Sequence, residues 1–154
     1  MRKSDIIYRE LPAEEIEAVR PLWDKLREHH EAISDNFRPT FRNITFDQRK
    51  RRLLVDGKQL KIIVAETAEA GEVVGYCIVS LAEQKGEIDS LFVADECRGM
   101  GIGAEFMTRA LHWLQEHSAN TIHIEVLAEN QPALGFYAKF GFVPRTCVLQ
   151  QRPE

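Results

Sequence analysis

Three alternate glycines stand in Arg98-Gly99-Met100-Gly101-Ile102-Gly103-Ala104, and an apolar-periodic stretch follows them. Glycine takes positive φ without a Cβ penalty, so such a run turns the chain and presents successive N–H groups at a helix N-terminus, where the dipole favours an anion. The chemistry predicted is phosphate or pyrophosphate binding by the backbone of this loop; a tight turn with glycines for packing is the plainer alternative. A nucleoside triphosphate loop needs Gly-Lys-Ser/Thr, and Ala104-Glu105 stands there instead. Gly99, Gly101 and Ala104 formally satisfy the dinucleotide pattern G-x-G-x-x-A, with Glu125 or Glu129 following at roughly the required 20 residues or somewhat beyond. A dinucleotide sheet, however, usually begins at its fingerprint and needs two β-α-β-α-β halves, whereas these glycines come late in the chain. A nicotinamide-dependent oxidoreductase is therefore a distant reading.

Acidic residues flank the loop on two apolar strands. Period-2 alternation puts Glu87, Asp89, Leu91 and Val93 on one face, with Ile88, Ser90 and Phe92 on the other. Farther on, Ile122, Ile124 and Val126 oppose His123, Glu125 and Leu127. A carboxylate within such a strand is unusual unless it is paired or used.

The elements that must position these groups are legible in outline. Ile6-Ile7-Tyr8 reads as a short strand, and helical segments run from Leu11-Pro12 to about Ser34, with Pro12 and Pro21 suited to first turns. Residues 35–43 read as a loop or broken helix. Thr45 is placed to cap a basic helix through Val55, and Gly57 to stop it. Strands are predicted at Leu60 to Glu66 and Val73 to Leu81 around a turn at Ala70-Gly71-Glu72, then at Glu87 to Val93 after a reversal at Lys85-Gly86. A helix from about Gly101 to His117, a strand from Thr121 to Leu127, a short helix from Pro132 to Phe140 ended by Gly141, and a last strand from Phe142 to Leu149 complete the chain. This is an α/β order with one β-α-β crossover, built around the glycines.

Two motifs in this order resemble the GNAT superfamily of acetyl-CoA-dependent N-acetyltransferases: the strand Leu91-Phe92-Val93 leading into Arg98 to Ala104, and Asn130 followed by Phe136-Tyr137 and Phe140-Gly141-Phe142. The specific resemblance runs from about Glu87 to Val143. It implies one domain over residues 1–154, a mixed, mostly antiparallel twisted sheet flanked by helices, with acetyl-CoA as cosubstrate. It further implies that Arg98, Gly99, Met100, Gly101, Ile102, Gly103 and Ala104 wrap the pyrophosphate, that Leu91, Phe92 and Val93 pair with the pantetheine arm, and that Asn130 contacts the coenzyme. Tyr137 matches the family's acid, which protonates the departing thiolate. Relatives place a base glutamate at the position of Glu125 or of Glu87; this reading prefers Glu125 slightly, with a solvated or ion-paired carboxylate as the alternative for each. The acceptor is an amine of unknown identity, either a small molecule or a protein amino group, taken up directly in a ternary complex. A non-catalytic acyl-CoA-binding or regulatory module is the competing class.

Composition bounds the rest. A length of 154 residues suits one domain, and 44% hydrophobic with 29% charged residues excludes disordered and membrane-embedded classes. Twenty Lys+Arg against twenty-four Asp+Glu lack the basic excess of a nucleic-acid binder. No run approaches the ~18 apolar residues of a membrane span, so a cytoplasmic protein is expected. Cys77, Cys97 and Cys147 are odd in number and widely spaced, which argues against disulfides and a zinc site. His30-Glu31 lacks the second histidine of H-E-x-x-H, so no metal is expected. Arg49-Lys50-Arg51-Arg52 reads as the solvated face of a helix whose Leu53-Leu54-Val55 points inward. One domain leaves no separate recognition module, so acceptor specificity falls to roughly Trp23 to Phe46, including His29, His30, Phe37 and Phe41, or to the second copy in a homodimer.

Overall fold

The β-branched runs at the centre of the chain form the middle of a five-stranded sheet. The computed structural model describes residues 1–153. Strands β1 (Ile6–Leu11), β2 (Gln59–Thr67), β3 (Val73–Ala82), β4 (Lys85–Val93) and β5 (Thr121–His123) lie side by side in sequence order. The first four pair antiparallel, and β5 runs parallel to β4. Ile62 to Ala65 and Val74 to Leu81 are almost wholly buried, as expected of central strands covered on both faces.

Helices cover both faces. On one lie a 3₁₀ segment (Ala13–Val19), α1 (Arg20–Ile33), α2 (Arg38–Asn43) and α3 (Phe46–Leu53). Ile16, Val19, Leu22, Trp23, Phe46 and Leu53 point into this layer. The start of α3 is fixed by a capping box: the Gln48 N–H donates to Thr45 Oγ1 (3.2 Å) and the Thr45 N–H to Gln48 Oε1 (2.9 Å). Its end departs from expectation, because the helix stops at Leu53 and leaves Leu54 and Val55 exposed. Of residues 35–43, expected as a loop or broken helix, 38–43 form α2 after a break from α1. The other face carries α4 (Ile102–Glu116), whose buried Ile102, Phe106, Met107, Ala110 and Leu114 recur at helical spacing, followed by the short α5 (Gln131–Ala138).

The β3–β4 reversal falls at Glu83 and Gln84, both at positive φ (51° and 64°), two residues earlier than the glycine suggested. Gly86 lies inside β4 for a different reason. A Cβ there would stand 2.8 Å from Leu114 Cδ2, so glycine admits α4 against the sheet. Gly86→Val is expected to cost about 1–3 kcal/mol of stability in urea unfolding.

Two expected strands are shorter or absent. β5 pairs only from Thr121 to His123, and residues 124–127 leave the ladder. Residues 142–149 form no strand: β5 offers no ladder edge beyond His123, Pro144 lacks a donor, and Val143, Val148 and Leu149 stay exposed.

Candidate functional site

The glycine loop links β4 to α4 through a 3₁₀ turn (Asp95–Cys97). Gly99 and Gly101 take φ of +83° and +77°, which side-chain-bearing residues rarely adopt, and Gly101 caps α4. Among the described residues, no protein acceptor receives the N–H groups of Gly99 to Ala104; the first helical bond runs from Glu105 N–H to the Gly101 carbonyl (3.0 Å). These donors, with the positive end of a fifteen-residue helix, suit an anion such as pyrophosphate. Gly103 also serves packing, since a Cβ there would meet Phe136 Cζ at 3.1 Å; its absence lets α5 rest on the first turn of α4. Ile102 is buried in the core and offers the loop its backbone only. The Arg98 guanidinium folds back, donating to the Val93 carbonyl (3.3 Å) and pairing with Asp95 (3.2 Å). A cation the sequence did not suggest also borders the loop: Lys3 Nζ lies 3.8 Å from where a Gly101 Cβ would be.

Beside this loop the sheet opens. β4 and β5 are in register at Lys85/Thr121, Gly86/Ile122 and Glu87/His123. Beyond Glu87 the two strands part, leaving one edge of β4 free to its end. The Ala94 N–H donates to Val74 on β3 (2.8 Å), so alternation turns the N–H groups of Leu91 and Val93 away from β3 and into the notch.

The carboxylates are arranged differently from strict alternation, because a register shift between Ile78 and Val79 inserts a bulge in β4 at Asp89. Past it the faces exchange. Ser90 and Phe92 now share the α1/α3 face with Glu87, as their partners Ile78, Tyr76 and Ser80 show, and Leu91 and Val93 join Ile88 on the α4 face. Ser90 and Tyr76 confirm the placement with a 2.7 Å hydroxyl contact. Glu87 stands at the apex of the notch, 3.3 Å from His123 Nε2, with its side chain 24% exposed. Glu125 is exposed on the unpaired segment beyond β5.

Asp89 is the most confined acid. Its side chain is 1% exposed, Arg49 and Lys58 each approach Oδ1 at 4.0 Å, and Oδ2 has no partner. Burial raises its carboxyl to about 6, Glu87 adding to the rise while Ser80, Lys58 and Arg49 oppose it. Because the folded pKa exceeds the ordinary value near 3.8, the charged form destabilises the fold: the cost is absent below about pH 4, grows to about pH 6 and is complete above. Asp89→Asn is expected to raise stability by about 1–3 kcal/mol at pH 7.5 and to leave it unchanged near pH 4, read by urea unfolding at both.

Tyr137 sits half-buried on α5, edge-on to Phe136 (5.1 Å) and Phe142 (6.3 Å). Burial pushes its phenol well above the ordinary value, with Cys77 on β3 adding to the rise, so it holds its proton at neutral pH. Asn130 caps α5, its side chain accepting the Ala133 N–H (3.3 Å), which leaves the amide N–H₂ available. The adjoining Glu129 accepts the Asp35 N–H (2.5 Å) and ties this loop to the α1–α2 connection.

The remaining candidate residues are placed by packing and pairing. Arg49 is not part of a solvated face: it turns inward, 21% exposed, and donates to the Asp89 carbonyl (2.9 Å), while Lys50 pairs with Glu17 (2.6 Å). His30 packs on Phe41 (5.5 Å), and burial, with His29, lowers its pKa to about 4. Glu31 pairs with Arg27 and Arg42. Among the described residues no group of three or more His, Cys, Asp or Glu could hold a metal, and no helix is long and apolar enough to cross a membrane. Cys77 and Cys97 are buried, their thiols raised by desolvation, which keeps them unreactive.

Comparison with known proteins agrees with this geometry. A putative [ribosomal protein bS18]-alanine N-acetyltransferase of Bacillus subtilis is 31% identical over 74 residues, 48% of this chain and 49% of that protein. The chain thus spans about half the length of the curated relatives it matches. A mutant of the BH1408 protein of Bacillus halodurans superposes with a TM-score of 0.72 at 18% identity, covering 96% of this chain and 99% of that one. The aminoglycoside N-acetyltransferase AAC(6')-Iy, solved with CoA, gives 0.66 at 14% identity over 96% and 99%. The acetyltransferase (GNAT) family model matches residues 23–142, so with its split parallel strands and glycine loop the chain belongs to the GNAT family.

Proposed function

We propose that this chain moves an acetyl group from acetyl-CoA to a primary amine by direct attack in a ternary complex. The observation that carries the reading is the β4/β5 notch with free N–H groups, opening beside a loop of unpartnered N–H donors. The loop from Arg98 to Ala104 would hold the pyrophosphate, with Lys3 and Arg98 as flanking cations. Leu91 and Val93 would pair with the pantetheine arm and stabilise the oxyanion through their N–H groups, and the Asn130 amide would contact the coenzyme. CoA bound to the similar AAC(6')-Iy and an alanine amino group as acceptor in the Bacillus subtilis relative's name support coenzyme and acceptor class.

In this reading Glu87 takes the base role, since it stands at the notch apex whereas Glu125 lies exposed beyond β5. An acceptor ammonium gives one proton to Glu87 and its nitrogen bonds to the thioester carbon; as the C–S bond breaks, Tyr137 gives the leaving sulfur its proton, and the second proton shed by the nitrogen as the amide forms returns through solvent to the phenolate. His123, beside Glu87, fixes the carboxylate. The protein works as a cytoplasmic enzyme on this reading.

The test incubates the protein and acetyl-CoA with a peptide bearing a free α-amino group, an aminoglycoside and a polyamine, followed by thiol titration and mass spectrometry. Acetylated product with stoichiometric free thiol is expected. Tight coenzyme binding without turnover across the panel would favour a binding module instead.

A further inference from the structure

The bulge at Asp89 decides which edge groups of β4 face the notch. In an antiparallel pair successive residues direct their N–H groups alternately to either side, so a slip of one residue exchanges both the faces and the edges of everything beyond it. With the bulge, Leu91 and Val93 point N–H groups into the notch; without it, Ser90 and Phe92 would do so, and Ser90 would lose its partner Tyr76. A bulge also takes backbone groups out of the ladder, and a part-buried carbonyl left that way is fixed only if a donor reaches it.

That donor comes from another layer of the molecule. The Arg49 guanidinium reaches down from α3 and donates to the Asp89 carbonyl at 2.9 Å, with the Asp89 carboxylate 4.0 Å away. The reach is set by rigid parts: α3 is capped at Thr45 and anchored by Phe46 and Leu53, both 1% exposed, with Phe46 against Trp23 (5.4 Å). Lys58 approaches the same carboxylate at 4.0 Å and makes no such backbone bond. Its charge is comparable, its role is not.

We propose that Arg49 is a positioning residue, holding the Asp89 carbonyl so that the bulge persists and β4 presents the N–H groups of Leu91 and Val93 to the reacting thioester. The proposal rests on the reading of the notch as the acetyl-transfer site. It assigns to the basic helix α3 a part in catalysis exerted through the backbone, without contact with either substrate.

The experiment compares Arg49→Met, Arg49→Lys and Lys58→Met in the full chain, with acetyl-CoA and the best acceptor of the panel above, and follows amide hydrogen exchange of Ser90 to Val93. Arg49→Met should lower kcat by ~10- to 100-fold, because small misplacements of reacting groups carry costs of that order, while both KM values stay within about threefold. Exchange at Ser90 to Val93 should quicken, Arg49→Lys should recover part of the loss, and Lys58→Met should resemble the wild type. An equal loss in Lys58→Met would make the effect one of charge. A loss confined to the acceptor KM would place Arg49 on the acceptor, and unaltered exchange would show that the bulge needs no clamp; each overturns the proposal. A wild type that turns over no amine defeats the proposed function, yet the exchange comparison still decides the clamp. Should Arg49→Met fail to fold, Arg49→Lys carries the same measurements.

Discussion

Tyr137→Phe should reduce kcat by about 10²-fold while changing the KM for acetyl-CoA by no more than about threefold. The substitution removes one hydroxyl and keeps the ring that packs on Phe136 and Phe142, so the fold has little reason to respond. What it removes, under the proposed mechanism, is the proton that the leaving thiolate would take. A free thiol has a pKa of about 8.5 and a phenol about 10, so transfer from Tyr137 is uphill in water and is driven by collapse of the tetrahedral intermediate. Burial raises the phenol further and keeps it protonated across the working range, so Tyr137 should add no limb to the pH profile below about pH 10. Thiol release followed spectroscopically measures the effect, and an unchanged rate would take Tyr137 out of the mechanism.

Gly101→Val should weaken coenzyme A by at least ~10²-fold, about 3 kcal/mol, by calorimetry. Space is not the obstacle, since the nearest atoms to an added Cβ are the flexible end of Lys3 at 3.8 and 3.9 Å. Conformation is. At φ +77° a residue with a side chain carries about 1–2 kcal/mol of strain, and a β-branched one is a marked outlier. The loop escapes by turning toward negative φ, which redirects the N–H groups of Gly101 to Ala104. Loss of global stability should remain near that strain energy, so the fold survives while the anion site does not.

Much of this was readable from local pattern. The cap at Thr45, the helical spacing of apolar residues in α4 and the position of the glycine loop depend on neighbours in sequence, and they appear where the residues placed them. What escaped depends on distant partners. The bulge at Asp89 arises between β3 and β4, so alternation within β4 alone assigned Leu91, Val93, Ser90 and Phe92 to the wrong faces. Arg49 lay in a basic run that reads as surface charge throughout, and only the approach of α3 to β4 singles it out. Lys3 stands almost a hundred residues from the loop it borders, with no motif linking them. The apolar tail from Phe142 to Leu149 has strand composition without a strand, because β-propensity needs an available edge.

The missing side chain of Gly103 has a mechanical consequence. Phe136 rests on the first turn of α4 at the distance glycine permits, and Tyr137 is the next residue along α5. The anion loop and the phenol therefore belong to one rigid bracket whose span is set by two helices in contact rather than by a flexible connection. Under the proposed acetyl transfer, such a bracket would act as a yardstick for the molecule laid along it, and coenzymes would be sorted by the length of arm between phosphate and sulfur.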